Sequence, residues 1–223
     1  MTPQEIARSI DHTLLKPEAV SEDIRRLCAE AKEFGFYAVC VNSRFVSLCT
    51  QELRGTNVRI ASVVGFPLGA MDTSAKAFET QRAVALGATE IDMVLSVGAL
   101  KERNIKDVST DLRVVIHAAG AVPVKVILET HLLSEEEKIL ACELSSDCGA
   151  AFVKTSTGFT GGGATLEDVR LMKRAAGAKV LVKASGGIRS LEQAKAMIEA
   201  GASRLGTSSG VAILKGMTAH GGY

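Results

Sequence analysis

Residues 152–165 read FVKTSTGFTGGGAT. Two apolar residues, Phe152 and Val153, lead into Lys154; hydroxylated residues and a glycine-rich turn follow, and Thr165 suits the start of a helix. A lysine is almost never fully buried without a reason. Twenty-nine residues after Lys154 the design returns as VLVKASGGIR (180–189), where Lys183 closes an apolar run ahead of Gly186 and Gly187. Either lysine alone reads as a long side chain snorkelling from a strand end into water. Two strands that both end in Lys, then Ser and Gly, read instead as a matched pair serving one site.

Outward from this pair, the same unit of apolar strand, polar turn and helix covers the chain. The strand candidates are IDHTLL (10–15), FYAVCVN (36–42), and residues 59–66, 90–97, 122–129, 151–156, 179–185 and 204–209. Amphipathic helices are predicted over 21–34, opened by an N-cap Ser21, and over 73–86, 104–119, 134–146, 165–176 and 190–200, opened by Thr73, Ser134, Thr165 and Ser190 or closed by Gly35, Gly87, Gly120 and Gly201. Residues 2–9 form a short N-terminal capping helix with Thr2 and Glu5 in a capping box. The strands are apolar on both faces, as a parallel sheet requires. Eight strands at intervals of about 22 to 33 residues give the cadence of an α/β fold, a (β/α)8 TIM barrel, and one domain spans 1–223. A Rossmann or flavodoxin-like sheet would gather its ligand signals at one switch point; here they follow nearly every strand.

Composition narrows the function. The chain carries a formal charge of +1, is 47% hydrophobic and 23% charged, and has no Trp and two Tyr. These values exclude a disordered chain and a basic surface with stacking aromatics, so nucleic acid is not an expected partner. The five cysteines form no CxxC pair and read as reduced thiols, and the N-terminus has neither the basic start nor the apolar block of a signal peptide. No apolar run reaches spanning length, so a cytoplasmic protein without a membrane partner is expected. The four histidines show no HExxH spacing, and no metal site is expected.

In a TIM barrel the chemistry sits at the C-terminal ends of the strands. Those ends bring together Asp11 and Thr13, Cys40, Asp92, Lys125, Lys154, Lys183, and Ser208 with Ser209. A lysine amine attacks a carbonyl only when neutral, and burial beside another ammonium favours the neutral form. Lys154 and Lys183 on adjacent strands supply that pairing, Asp92 can move protons, and spacing leaves open both the identity of the nucleophile and whether Lys125 is the perturbing charge. Asp92 could equally neutralise an inward lysine, and Thr13, Asp11 and Cys40 could be structural. The turns at Gly158, Gly161–Gly163, Gly186, Gly187 and Ser208–Gly210 follow three consecutive strands, where TIM barrels hold phosphate on backbone N–H groups. A small phosphorylated carbonyl compound is the expected substrate.

The segments IDHTLLKP, AVCVNSRF, EIDMVLSVGAL, VKVILET, FVKTSTGF and VKASGGIR, in this order, resemble the deoxyribose-phosphate aldolase family of class I aldolases. The resemblance implies Lys154 as the Schiff-base lysine, Asp92 and Lys183 as the proton-handling and pKa-lowering pair, Asp11 and Lys125 near that relay, Thr13 and Cys40 in the active site, and phosphate at Gly158, Gly186, Gly187, Ser208 and Ser209. It implies no metal or organic cofactor, a homodimer or homotetramer, and a terminal Tyr223 that reaches back to the site. One departure is Phe159, where some members carry a lysine; neutral donors are then expected to carry most of the phosphate recognition. Two other readings are a transaldolase-like carbon transferase and a non-catalytic sugar-phosphate-binding barrel.

Overall fold

In the computed structural model, which describes residues 1–217, the eight predicted strands all form. They are β1 (Ile10–Leu14), β2 (Ala38–Val41), β3 (Arg59–Val64), β4 (Glu90–Val94), β5 (Val124–Ile127), β6 (Phe152–Lys154), β7 (Leu181–Ser185) and β8 (Arg204–Thr207). Every strand lies parallel to its successor and β8 returns to β1, which closes the barrel. The helices are α1 (Pro3–Ala7), α2 (Ser21–Phe34), α3 (Val46–Glu52), α4 (Thr73–Ala85), α5 (Val97–Lys101), α6 (Ile105–Ala119), α7 (Glu135–Asp147), α8 (Leu166–Ala175), α9 (Leu191–Glu199) and α10 (Gly210–Leu214). Among the described residues no helix is long and apolar enough to cross a membrane.

Local chemistry sets most of these boundaries. Thr2 and Glu5 form the expected capping box on α1; Ser134, Thr165 and Ser190 cap α7, α8 and α9 through their hydroxyls. Two caps fall one residue earlier than expected. Ser21 is the first residue of α2, which is capped by the Asp23 carboxylate accepting from Val20 N–H at 3.1 Å, and Asp72 caps α4 by accepting from Ser74 N–H at 2.8 Å. The fourth strand is shorter than its apolar run, because Val97 already belongs to α5. Helix α3 was not expected, although the buried Val46, Cys49 and Leu53 stand at helical spacing.

Alternation along each strand divides the inside from the outside. Val39, Ile60, Ile91, Met93, Val126, Val153, Val182 and Leu205 pack outward with the apolar faces of the helices into the main core. Burying each such side chain contributes about 1.5–3 kcal/mol, and this layer stabilises the barrel. Inside, a small apolar group of Leu15, Cys40, Ala61 and Val63 occupies the side formed by β2 and β3. The rest of the interior is ionic: Asp11, Glu90, Asp92, Lys125, Lys154, Lys183 and Arg204 are all 5% exposed or less. A second buried pair braces the outside, with Lys76 Nζ 2.6 Å from Asp111 Oδ2 and donating to Val94 O, at the end of the strand that carries Asp92.

Candidate active site

Parallel register places the charged side chains in rows. Lys154 is the partner of Lys183 across β6 and β7, and Asp92 is the partner of Lys125 across β4 and β5. The Asp92 carboxylate lies among all three lysines. Its Oδ1 is 2.6 Å from Lys125 Nζ, while its Oδ2 is 3.0 Å from Lys154 Nζ and 2.8 Å from Lys183 Nζ. Lys183 also bonds Asp11 Oδ2 at 2.5 Å, and Lys125 bonds Glu90 Oε2 at 2.7 Å. Arg204 closes the lower part of the network, 2.8 Å from Asp11 and 3.1 Å from Glu90, with its guanidinium 3.4 Å from the centre of the Tyr37 ring.

These charges survive burial only because each has a partner; the desolvation penalty is several kcal/mol per ion. Burial alone would push Asp92 up, but Lys125, Lys183 and Lys154 hold it well below the usual carboxylate range. Asp11 is likewise lowered against its burial, by Lys183, Lys125 and Arg204. Burial would lower Lys183, yet Asp11 and Asp92 raise it well above the ordinary lysine value. Lys125 is raised in the same way, by Asp92, Asp11 and Glu90. Lys154 differs: burial and the neighbouring Lys183 lower it, and Asp92 does not make up the difference. It is also the only one of the three whose side chain reaches solvent, at 2% exposure against 0% for the others. One poised amine therefore stands among two fixed cations.

The remaining expected residues fall around this cluster. Cys40 Sγ is 4.0 Å from Asp92 Oδ2, and burial raises its thiol, which keeps it protonated. Thr13 Oγ1 donates to the Asp11 carbonyl at 2.8 Å, within strand β1 itself. Tyr223 lies outside the described residues. Gly206 leaves room for Lys183: a Cβ there would stand 3.0 Å from Lys183 Cε.

Gly206 also lines a cavity of about 340 Å³. Its wall is made by the loops that follow β6, β7 and β8, with Gly158, Gly161–Gly163, Gly187, Thr207, Ser208 and Ser209. Two placements differ from the sequence reading. Gly186 is buried instead of lining this cavity; its carbonyl accepts from Ala164 N–H at 3.0 Å and ties one loop to the next. Arg189 lines the cavity, so a cation is present there even though position 159 is Phe. The Arg ends the VKASGGIR stretch and was visible as a charge two residues beyond a glycine pair. Phe159 packs edge-on against Phe66, centroids 5.2 Å apart, and joins the loops after β3 and β6.

Comparison with known proteins agrees with this architecture. The profile of the DeoC/LacD family aldolases matches residues 6–216. The chain is 57% identical over 219 residues to the deoxyribose-phosphate aldolase of Bdellovibrio bacteriovorus, covering 98% of this chain and all of that one. It is 56% identical over 224 residues to deoxyribose-phosphate aldolase 1 of Bacillus licheniformis, with both chains fully covered. The tetrameric deoxyribose phosphate aldolase of Aeropyrum pernix superposes with a TM-score of 0.87 at 35% identity, over 96% of this chain and 91% of that one. A match of this extent, over a barrel whose mouth holds three lysines around one carboxylate, means that the chain belongs to the DeoC/LacD family of aldolases.

Proposed function

We propose that the chain cleaves 2-deoxy-D-ribose 5-phosphate reversibly to D-glyceraldehyde 3-phosphate and acetaldehyde, with Lys154 as the nucleophile. The observation that carries this reading is the placement of Lys154, buried, across from Lys183 and 3.0 Å from the Asp92 carboxylate, where burial and Lys183 together push its amine below the ordinary lysine value. The neutral amine attacks C1 of the open-chain sugar, and loss of water leaves an iminium ion. The Asp92 carboxylate, with a water as carrier, takes the C3 hydroxyl proton, and the Lys183 ammonium beside it at 2.8 Å stays charged and orients that carboxylate. The C2–C3 electron pair moves into the iminium as the C3 oxygen becomes an aldehyde, and glyceraldehyde 3-phosphate leaves. The enamine is protonated at C2, and water then hydrolyses the imine to acetaldehyde and free Lys154. Asp11 and Lys125 hold Lys183 and Asp92 in their charged states.

The phosphate is assigned to the cavity beside Gly206, where Gly158, Gly187, Ser208 and Ser209 supply small donors and Arg189 a charge. The relatives named for this substrate support a phosphorylated sugar as the ligand. We further propose a cytoplasmic homo-oligomer, dimer or tetramer. The cysteines Cys28, Cys40, Cys49, Cys142 and Cys148 are all free. Leu68 and Phe78 are 69% and 66% exposed, and a relative is tetrameric. Incubation with the sugar phosphate and no acceptor tests the reaction. Acetaldehyde and glyceraldehyde 3-phosphate should appear in equal amounts; a carbon transferase would release no acetaldehyde, and a binding protein would leave the substrate intact.

A further inference from the structure

Glu129, just after β5, is a buried carboxylate that the proposed chemistry leaves unused. It is 2% exposed, and its backbone sits at φ 57°, ψ 60°, the left-handed region that a glutamate rarely adopts. Both of its oxygens are taken up by one residue of the loop after β6. Thr157 N–H lies 3.3 Å from each, and Thr157 Oγ1–H donates to Oε2. Thr157 Oγ1 in turn accepts from Phe159 N–H at 3.1 Å. Two residues beyond Glu129, His131 fills the space beside Gly162, where a Cβ would come within 2.2 Å of its Nδ1. His131 Nδ1 stands 3.5 Å from Glu129 Oε1. The segment 129–131 therefore grips the loop at both ends, at Thr157 and at Gly162.

That loop is the link between the two halves of the site. Thr157 lies three residues after Lys154 and one before Gly158, the first residue of the cavity wall. A carboxylate with no lysine or arginine partner among the described residues, set on a strained backbone and aimed at one loop position, does more than fill space. We propose that Glu129 is a positioning residue that fixes the phosphate cavity relative to Lys154, so that a substrate held by its phosphate presents C1 to the amine. This rests on the proposed function, in which the substrate is phosphorylated. Lys154 itself is held by the strand ladder of β6, so the brace acts on phosphate binding and leaves the reactivity of the amine alone.

The test compares kcat/KM for 2-deoxyribose 5-phosphate and for unphosphorylated 2-deoxyribose, together with competitive inhibition by inorganic phosphate. Glu129→Gln keeps the volume and loses one acceptor; Glu129→Gly keeps the left-handed turn and loses the carboxylate. Thr157→Val loses the hydroxyl donor and Thr157→Ser restores it, which keeps the test usable where a Glu129 variant fails to fold. In the Glu129→Gln and Thr157→Val proteins, kcat/KM for the phosphorylated sugar should fall by about tenfold or more, mostly through KM, and the inhibition constant of phosphate should rise in parallel. Activity on the unphosphorylated sugar should stay within about twofold, and Thr157→Ser should behave like the parent. Equal losses on both sugars, or no loss on either, would overturn the proposal. A parent protein that cleaves neither sugar contradicts the proposed function instead; phosphate binding measured by calorimetry then decides on Glu129, since the variants must weaken it.

Discussion

Lys154 and Lys183 are cross-strand partners on β6 and β7, and their ammonium groups share one oxygen, Asp92 Oδ2, at 3.0 and 2.8 Å. They differ in what else they touch. Lys183 has Asp11 as a second carboxylate, and among the described residues Lys154 has no second carboxylate within salt-bridge distance. Hence two lysines in one row are driven in opposite directions, Lys183 up and Lys154 down.

Replacing Lys183 by Leu removes the cation that, after burial, lowers Lys154 most. The neutral amine forms as pH rises through the Lys154 pKa, so the rising limb of the kcat/KM profile should move to higher pH and the rate near neutrality should drop. A folded variant whose limb keeps its position would show that burial alone tunes Lys154.

Stability should divide the lysines in the opposite sense. Lys154 is lowered by burial and Lys183, so below the ordinary lysine value the unfolded state holds its proton more tightly than the folded one and the group opposes folding, at pH 7 as elsewhere in that range. Lys125 is raised by its carboxylates, and its contribution is complete below the ordinary lysine value and lost as pH rises through the folded value. At pH 7, Lys154→Met should therefore leave the unfolding free energy unchanged or higher, while Lys125→Met should cost about 3–5 kcal/mol by leaving Asp92 and Glu90 short of a cation. Denaturant unfolding of the two variants checks this; equal losses would contradict the assigned asymmetry.

At the phosphate cavity, Ser208→Asp places a negative charge where a dianion should sit and removes a donor. We expect a loss on the order of 2–4 kcal/mol in kcat/KM for the phosphorylated sugar and far less for 2-deoxyribose. Arg189→Ala should show the same selectivity with a smaller effect, on the order of 1–2 kcal/mol, because Arg189 is exposed to water. Parallel losses on both sugars would place the phosphate elsewhere.

The barrel was legible because its strand, turn and helix signals are local: the apolar runs, the hydroxyl caps at Ser134, Thr165 and Ser190, and the lysines before glycine turns. The ion-pair network was legible only at its upper end. Glu90 and Arg204 stand first in their strands, where a charge ordinarily points to water, and their roles depend on closure of the barrel. Arg204 meets Asp11 across 193 residues of chain and Glu90 across 114. Which lysine is poised was also hidden, since spacing makes Lys154 and Lys183 equivalent and only Asp11 on β1 separates them. Glu129 gave no signal, because its αL backbone and its bond to Thr157 arise only when two loops meet.

The central claim is that Lys154 forms the imine, and covalent trapping tests it most directly. The protein is incubated with 2-deoxy-D-ribose 5-phosphate and sodium borohydride, digested, and mapped by mass spectrometry, with Lys154→Arg as a variant that keeps the charge but cannot form an imine. A reduced adduct on Lys154 alone, absent from the folded Lys154→Arg protein along with its cleavage activity, is the predicted result. An adduct on Lys125 or Lys183, or substantial cleavage by Lys154→Arg, would contradict it.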